Sequence, residues 1–200
     1  MEKRGLSDIP DVPLPAGYSI RTYRPGDETA LAGIYCVSKL EKDTPEIVRR
    51  DVLGDPCFRP ERIFIAACDG CVVGTASAWV TEGEPDAGYL HMLGVLDEHR
   101  GKRLGAALTC ACLRYTRDEG FDVQRLMTDD WREAAIRLYL DLGYDPLIMD
   151  RSHPMRWEAI GKRLGRGDVL ARMRRPALSQ RETIFRRLRR IVGFVNIFGS

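Results

Sequence analysis

The sequence predicts an α/β (α+β) domain built around one mixed sheet, with a helical extension at the C-terminal end. Three observations carry this. Strand and helix patterns follow the order β-α-α-β-β-β-α-β-α-β, which is too irregular for a doubly wound parallel sheet. Asp69-Gly70 between two apolar runs reads as a two-residue hairpin turn and makes those strands antiparallel neighbours. The 200 residues, 44% hydrophobic and 30% charged, suffice for one sizeable core.

Taken in order, the Pro-rich start up to Pro15 reads as extended or loosely ordered. Residues 18–23 alternate like a strand, and Pro25-Gly26-Asp27 breaks it. Residues 29–39 carry Leu31, Ile34, Tyr35 and Val37 at helical spacing. Thr44-Pro45 supplies an N-cap and a proline at the first helical position, opening a helix through about Leu53. Residues 62–67 and 72–80 are the hairpin strands. An acidic loop (Glu82, Glu84, Asp86) leads to a strand over 89–95. Leu104, Ala107, Leu108, Ala111, Cys112 and Tyr115 define the next helix, which Gly120 ends. Residues 123–127 form a short buried strand. Asp130 and Glu133 have capping-box spacing and start a helix with Trp131, Ala135, Leu138 and Leu142 on one face, stopped by Gly143. Residues 144–149 read as a last strand interrupted by Pro146. Pro154 opens a helix with Trp157, Ile160 and Leu164 inward, and Arg166-Gly167 reads as a linker. The expected division is a domain over 1–160 and a basic amphipathic extension over 161–200.

The net charge of +2 hides a segregation: residues 161–200 hold 11 Lys/Arg against 2 Asp/Glu, leaving 20 basic and 27 acidic residues in the first 160. The N-terminal stretch has charge but no apolar core of a secretion signal, and no apolar run reaches membrane-spanning length. The six cysteines then read as free thiols in a reducing cytoplasm. Cys68 and Cys71 have metal-like spacing, but no second pair completes a tetrahedral site, so no metal is expected.

The chemistry concentrates in residues 93–107, LGVLDEHRGKRLGAA. A strand ends at Val95, and the basic loop from Arg100 to Gly105 runs straight into a helix. First-turn amides without intrahelical partners, a positive dipole end and nearby Arg and Lys make a phosphate cradle. The Walker spacing with its Ser/Thr is absent, as is the dinucleotide Gly-x-Gly-x-x-Gly. Arg100 and Gly105 instead fill the first and last positions of Gln/Arg-x-x-Gly-x-Gly/Ala, so the loop resembles the acetyl-CoA loop of the GNAT superfamily of N-acetyltransferases. Arg103 stands where that pattern has its middle glycine. Residues 135–144, AIRLYLDLGY, resemble the family's next motif, Leu-Tyr-x-x-Leu-Gly-Phe/Tyr, in the expected order. The resemblance covers about residues 18–149 and implies a GNAT-like, mostly antiparallel central sheet flanked by helices.

It also implies a mechanism, in which an amine attacks the thioester of acetyl-CoA directly through a tetrahedral intermediate. Arg100, Gly101, Lys102, Arg103, Leu104, Gly105 and Ala106 would bind the pyrophosphate. Leu93 and Val95 would orient the acetyl group and pantetheine arm through their backbone. Tyr139 matches the family's general acid for the departing thiolate. His91, which titrates near neutrality, is the candidate base, with Glu82, Glu84 and Asp86 in reserve. His99 reads as a loop residue. On the acceptor side, Glu41, Asp43, Glu46, Asp51 and Asp55, with the acidic loop, would attract a cationic amine. Trp79 could wall the pocket.

The tail over 181–198 places Ile184, Leu188, Ile191, Val195 and Phe198 at helical spacing among arginines. Docking on the acidic body or on a second subunit as a homodimer, and lying on an anionic membrane surface, both fit. Its apolar richness argues against nucleic acid. The sequence therefore reads as a cytoplasmic N-acetyltransferase with acetyl-CoA as co-substrate. The competing class is a non-catalytic acyl-CoA-binding or regulatory module on the same fold.

Overall fold

The computed structural model describes residues 1–40, 44–80, 87–176, 181 and 184. The acidic loop, Glu41, Asp43 and nearly all of the basic tail lie outside the described residues. The chain divides into two compact units, one spanning Gly5–Gln124, the other Met1–Arg4 with the residues from Arg125 onward.

Strand β1 (Glu2–Arg4) belongs to the second unit. In the first, β2 (Tyr18–Thr22), β3 (Ile63–Cys68), β4 (Cys71–Trp79) and β5 (Gly88–Val95) are neighbours in sequence order. Each adjacent pair is antiparallel. Beyond β5 comes β6 (Val123–Arg125), whose last residue opens the second unit. The hairpin turn forms as the sequence predicts, with Asp69 and Gly70 both at positive φ (47° and 85°) and Cys68 opposite Cys71.

The connection from β2 into α1 (Glu28–Val37) is locked by charge: Arg21 donates to both carboxylate oxygens of Asp27 at 2.7 and 2.8 Å, and the Arg24 amide donates to Oδ2 at 2.8 Å. Helix α2 begins at Pro45–Ile47, capped as expected by the Thr44 hydroxyl accepting from the Ile47 amide at 3.2 Å. It continues over Val48–Leu53 with a wider, π-type winding. Helices α1 and α2 cover one face of the sheet, where Leu31, Tyr35, Val48, Val52, Ile63, Ile65 and Met92 form a buried cluster. Helix α3 (Leu104–Asp118) covers the other: a Cβ on Gly88 would lie 2.6 Å from Thr116 Cγ2. Gly88 and Tyr89 are successive residues and so point to opposite faces.

In the second unit, β1 lies beside the end of β6, and Glu2, 1% exposed, is paired with Arg125 Nε at 2.8 Å. The sequence reading missed this strand because Glu-Lys-Arg has no apolar alternation; its buried member is a charged residue satisfied by a partner. Helix α4 (Glu133–Asp141) starts later than the Asp130 cap predicts. Asp130 instead takes Arg156 at 2.7 and 2.8 Å, Glu133 takes Arg163 at 2.5 Å, and no side chain caps the helix. The buried face is Ile136, Tyr139 and Leu140, while Trp131 is 58% exposed. Residues 144–149 form no strand. Pro146 lacks an amide donor, and among the described residues the segment's strand pairing is limited to the isolated bridges Glu2 to Asp145 and Leu147 to Arg174. Helix α5 (His153–Leu164) has its proline in the first turn and buries Trp157, Ile160 and Leu164, as expected.

Candidate functional site

The centre of the first unit is an irregularity in β5. His91 pairs with Ser77 and Gly94 with Thr75, so three steps along β5 answer two along β4. The extra residue is a β-bulge, and Met92 adopts φ 55° within it. A non-glycine, non-turn residue in left-handed geometry costs on the order of 1 kcal/mol, so the bulge is imposed by its surroundings. Met92 turns into the apolar cluster under α1 and α2. At Gly94, α1 comes so close that an added Cβ would lie 2.5 Å from Ser38 Oγ and 2.8 Å from Ile34 Cγ2. Glycine is therefore required there for close approach. The bulge lies directly before Leu93 and Val95, the residues expected to present their backbone to a thioester.

After β5, Leu96 donates to Val73 O at 2.9 Å, and one tight helical turn over Asp97–His99 leads to Arg100. His99 accepts or donates at Nδ1 to the Tyr18 hydroxyl at 2.8 Å, a structural tie that agrees with its reading as a loop residue. Arg100 is paired with Asp97 at 2.7 Å, and Lys102 Nζ donates to Glu98 O at 2.9 Å. Both contacts are exposed and exchangeable. Gly101 lies at φ 75° and Arg103 at φ 61°, ψ 13°. The position where the family pattern has glycine is thus left-handed in this chain as well, with arginine adopting the glycine conformation. Two positive-φ residues turn the loop so that α3 starts abruptly at Leu104, with no side chain capping it. The first-turn amides of Leu104, Gly105 and Ala106 are left for a ligand oxygen.

His91 lies opposite Ser77 on the face covered by α1 and α2, with its ring edge-on to Trp79 at 6.0 Å between centroids. Trp79 is 5% exposed and acts as core in this chain. Of the acidic groups expected at the acceptor rim, Glu46 pairs with Arg49 and Asp51 with Arg50, and Asp55 accepts from the Cys57 amide at 2.7 Å. All six cysteines are free. Tyr139 belongs to the second unit, where it is buried at 6% exposure and meets the Tyr144 ring edge-on at 5.7 Å. Met92 and Gly94 escaped the sequence reading. A methionine in a strand carries no bulge signal, and Gly94 is recognisable only once α1 is known to cross it.

A mixed sheet with a bulged strand feeding a left-handed, basic loop and an uncapped helix defines a backbone cradle suited to an anionic ligand. Comparison with known proteins makes this specific. The model of the Acetyltransferase (GNAT) family matches residues 29–144, and the chain belongs to that family. It is 34% identical to a mycothiol acetyltransferase of Thermomonospora curvata over 158 residues, covering 74% of this chain and 52% of the relative. A mycothiol acetyltransferase of Stackebrandtia nassauensis is 36% identical over 137 residues, covering 64% and 45%. The chain therefore spans about half the length of the curated relatives it matches. Among solved structures, a GCN5-related N-acetyltransferase from Sphaerobacter thermophilus superposes with TM-score 0.56 at 25% identity, covering 71% of this chain and 46% of that one. Among the described residues, no helix is long and apolar enough to cross a membrane.

Proposed function

We propose that the protein is an N-acetyltransferase that moves the acetyl group of acetyl-CoA directly to a primary amine. The observation that carries this is the left-handed Arg103 turn ahead of an uncapped α3, one short loop away from the β5 bulge. Acetyl-CoA would supply an activated thioester. Amides 104–106 hold its pyrophosphate, with Arg100, Gly101, Lys102 and Arg103 shaping and charging the loop. Leu93 and Val95 present backbone groups to the acyl arm. His91 takes the proton from the acceptor ammonium, freeing its lone pair to form the C–N bond. Tyr139 donates a proton to the sulfur as the C–S bond breaks, and the second proton lost from the new amide nitrogen restores the phenol, leaving free CoA and the amide.

The curated relatives are named for mycothiol, so the proposed acceptor is the amine of a small thiol, and L-cysteine ethyl ester is the first probe. A cationic acceptor suits the acidic character of the first 160 residues. The free cysteines favour a cytoplasmic setting, and the extension over 161–200 is proposed as a docking or dimer element. Because the chain matches only half of its relatives, a second reading, an acyl-CoA-binding module without transfer, is kept for test.

The experiment is calorimetric titration of acetyl-CoA, followed by loss of thioester absorbance with L-cysteine ethyl ester, spermidine and a peptide amine. Tyr139→Phe should retain cofactor affinity and lose about 10²-fold or more in kcat, the usual contribution of a positioned acid. Cofactor binding without consumption for any amine supports the module reading. Absence of binding removes both.

A further inference from the structure

On the face of the sheet under α1 and α2, a strip of hydroxyls runs beside His91 through the apolar cluster. Thr75 sits between Ile65 and Gly94, and Ser77 between Ile63 and His91. Both are fully buried, and Tyr35 reaches the same region from α1. Ser77 Oγ has no hydrogen-bond partner among the described residues. Such a hydroxyl costs about 1–3 kcal/mol relative to a satisfied one. Alanine or valine would pack among Leu31, Ile63, Ile65 and Val48 without that cost, so packing does not explain the strip. Burial pushes the Tyr35 phenol well above its ordinary value, with the Thr75 hydroxyl beside it offsetting part of the shift. Tyr35 therefore stays neutral, and the strip adds no charge beside His91.

Ser77 is the member that faces the proposed base. Directly opposite residues on antiparallel strands have Cβ atoms about 4.5–5.5 Å apart. Ser77 Oγ does not bond the imidazole directly, and polar groups held at such spacing are routinely joined by one water. We propose that Ser77 is a positioning residue for the proton-accepting step: its buried hydroxyl holds a water molecule against the His91 imidazole, fixing the ring's orientation for the acceptor amine. This rests on His91 being the base. Thr75 and Tyr35 extend the strip away from the base, toward the bulge at Met92 and the α1 contact at Gly94.

The test is a double-mutant cycle of Ser77→Ala and His91→Gln, read as kcat with acetyl-CoA and L-cysteine ethyl ester, with Tm and calorimetric acetyl-CoA affinity as controls. Ser77→Ala should lower kcat about 10-fold or more, within the range of acid–base contributions, while acetyl-CoA affinity is unchanged. Its Tm should change little, because the hydroxyl's proposed partner is a water and not another protein group. Ser77→Thr, which retains the hydroxyl, should recover most of the rate. In the double variant the effects should not add, since Ser77 acts through His91. A Ser77→Ala kcat within twofold of the parent, or a loss that tracks Tm or cofactor affinity, overturns the proposal. If Ser77→Ala is silent while His91→Gln is slow, only the role of Ser77 fails. If His91→Gln is silent, the assignment of the base fails, and the proposal with it.

Discussion

Arg103 is the sharpest place to test how the loop works, because it combines a glycine-like backbone with an exposed cationic side chain. Left-handed geometry costs a non-glycine residue about 1–2 kcal/mol. Substituting glycine removes that cost but adds about 0.4–1 kcal/mol of unfolded-state entropy. The net for Arg103→Gly is a stabilisation of up to about 1.6 kcal/mol with a central value of about 0.8 kcal/mol, or roughly 2–3 °C in Tm for a chain of this size. Arg103→Ala keeps the strain and should match the parent in Tm, whereas Arg103→Val, β-branched, should fall below it. Cofactor binding should separate from stability. Both Gly and Ala variants lose one charge beside the proposed pyrophosphate site, worth about 0.3–1 kcal/mol at a helix start, so acetyl-CoA affinity should weaken about two- to fivefold in each and more at low salt. Differential scanning calorimetry and isothermal titration at two ionic strengths measure the two quantities. A glycine variant no more stable than the alanine variant would refute the left-handed strain. Equal affinities for all four proteins would refute a phosphate-facing arginine.

Three further outcomes follow from the packing and the charges. Gly94→Ala must displace α1 at Ser38 and Ile34, and should lower stability by about 1–3 kcal/mol and slow transfer with it, seen by chemical denaturation and the thioester assay. Asp27 is buried, which raises its pKa, but Arg21 and the Arg24 amide outweigh this and hold it below the ordinary carboxylate value. Its stabilisation is therefore complete above the unfolded-state pKa near 4 and is lost as pH falls through the lower folded value, so Asp27→Asn should flatten the acid limb of a stability-versus-pH curve. Thr44→Ala removes the cap of α2 and should cost about 1 kcal/mol in urea unfolding without altering acetyl-CoA affinity.

What could be read from the sequence was whatever local chemistry decides. The Asp69-Gly70 turn, the Thr44-Pro45 start and the proline-led α5 all form where turn, cap and periodicity signals put them. So does the basic loop at the start of α3. The errors share one cause, which is tertiary partners overriding local pattern. Asp130 has the spacing of a cap but finds Arg156. Residues 144–149 read as a last strand interrupted by Pro146, yet that proline removes a donor, and Asp145 is taken by Arg172 and Arg174. The turn of the basic loop and the start of α3 were legible because such loop-to-helix signals are local. The bulge at Met92 and the close approach at Gly94 were not, since each depends on a neighbouring strand or helix that sequence spacing does not reveal.

Strain in this chain is distributed in a way that bears on function. Among the described residues, four non-glycines lie at positive φ: Lys39, Asp69, Met92 and Arg103. Asp69 occupies a hairpin turn that tolerates the geometry, and Lys39 follows the end of α1, where a left-handed residue closes the helix. Met92 and Arg103 have no such local reason. They bracket the run from the bulge to the start of α3, the segment whose backbone would meet both the thioester and the pyrophosphate. Together their strain is about 2 kcal/mol or more, a sizeable fraction of a marginal folding free energy. A fold under no other demand would relieve it with glycine at 103, as the family pattern does, or with a regular strand at 92. Its persistence at both ends of one segment is what a binding backbone shaped in advance of its ligand requires. If so, saturating acetyl-CoA should slow amide exchange at residues 92–95 and 103–106 far more than in the Asp69-Gly70 turn. Uniform slowing across all of these would show that the strain has no connection with the ligand.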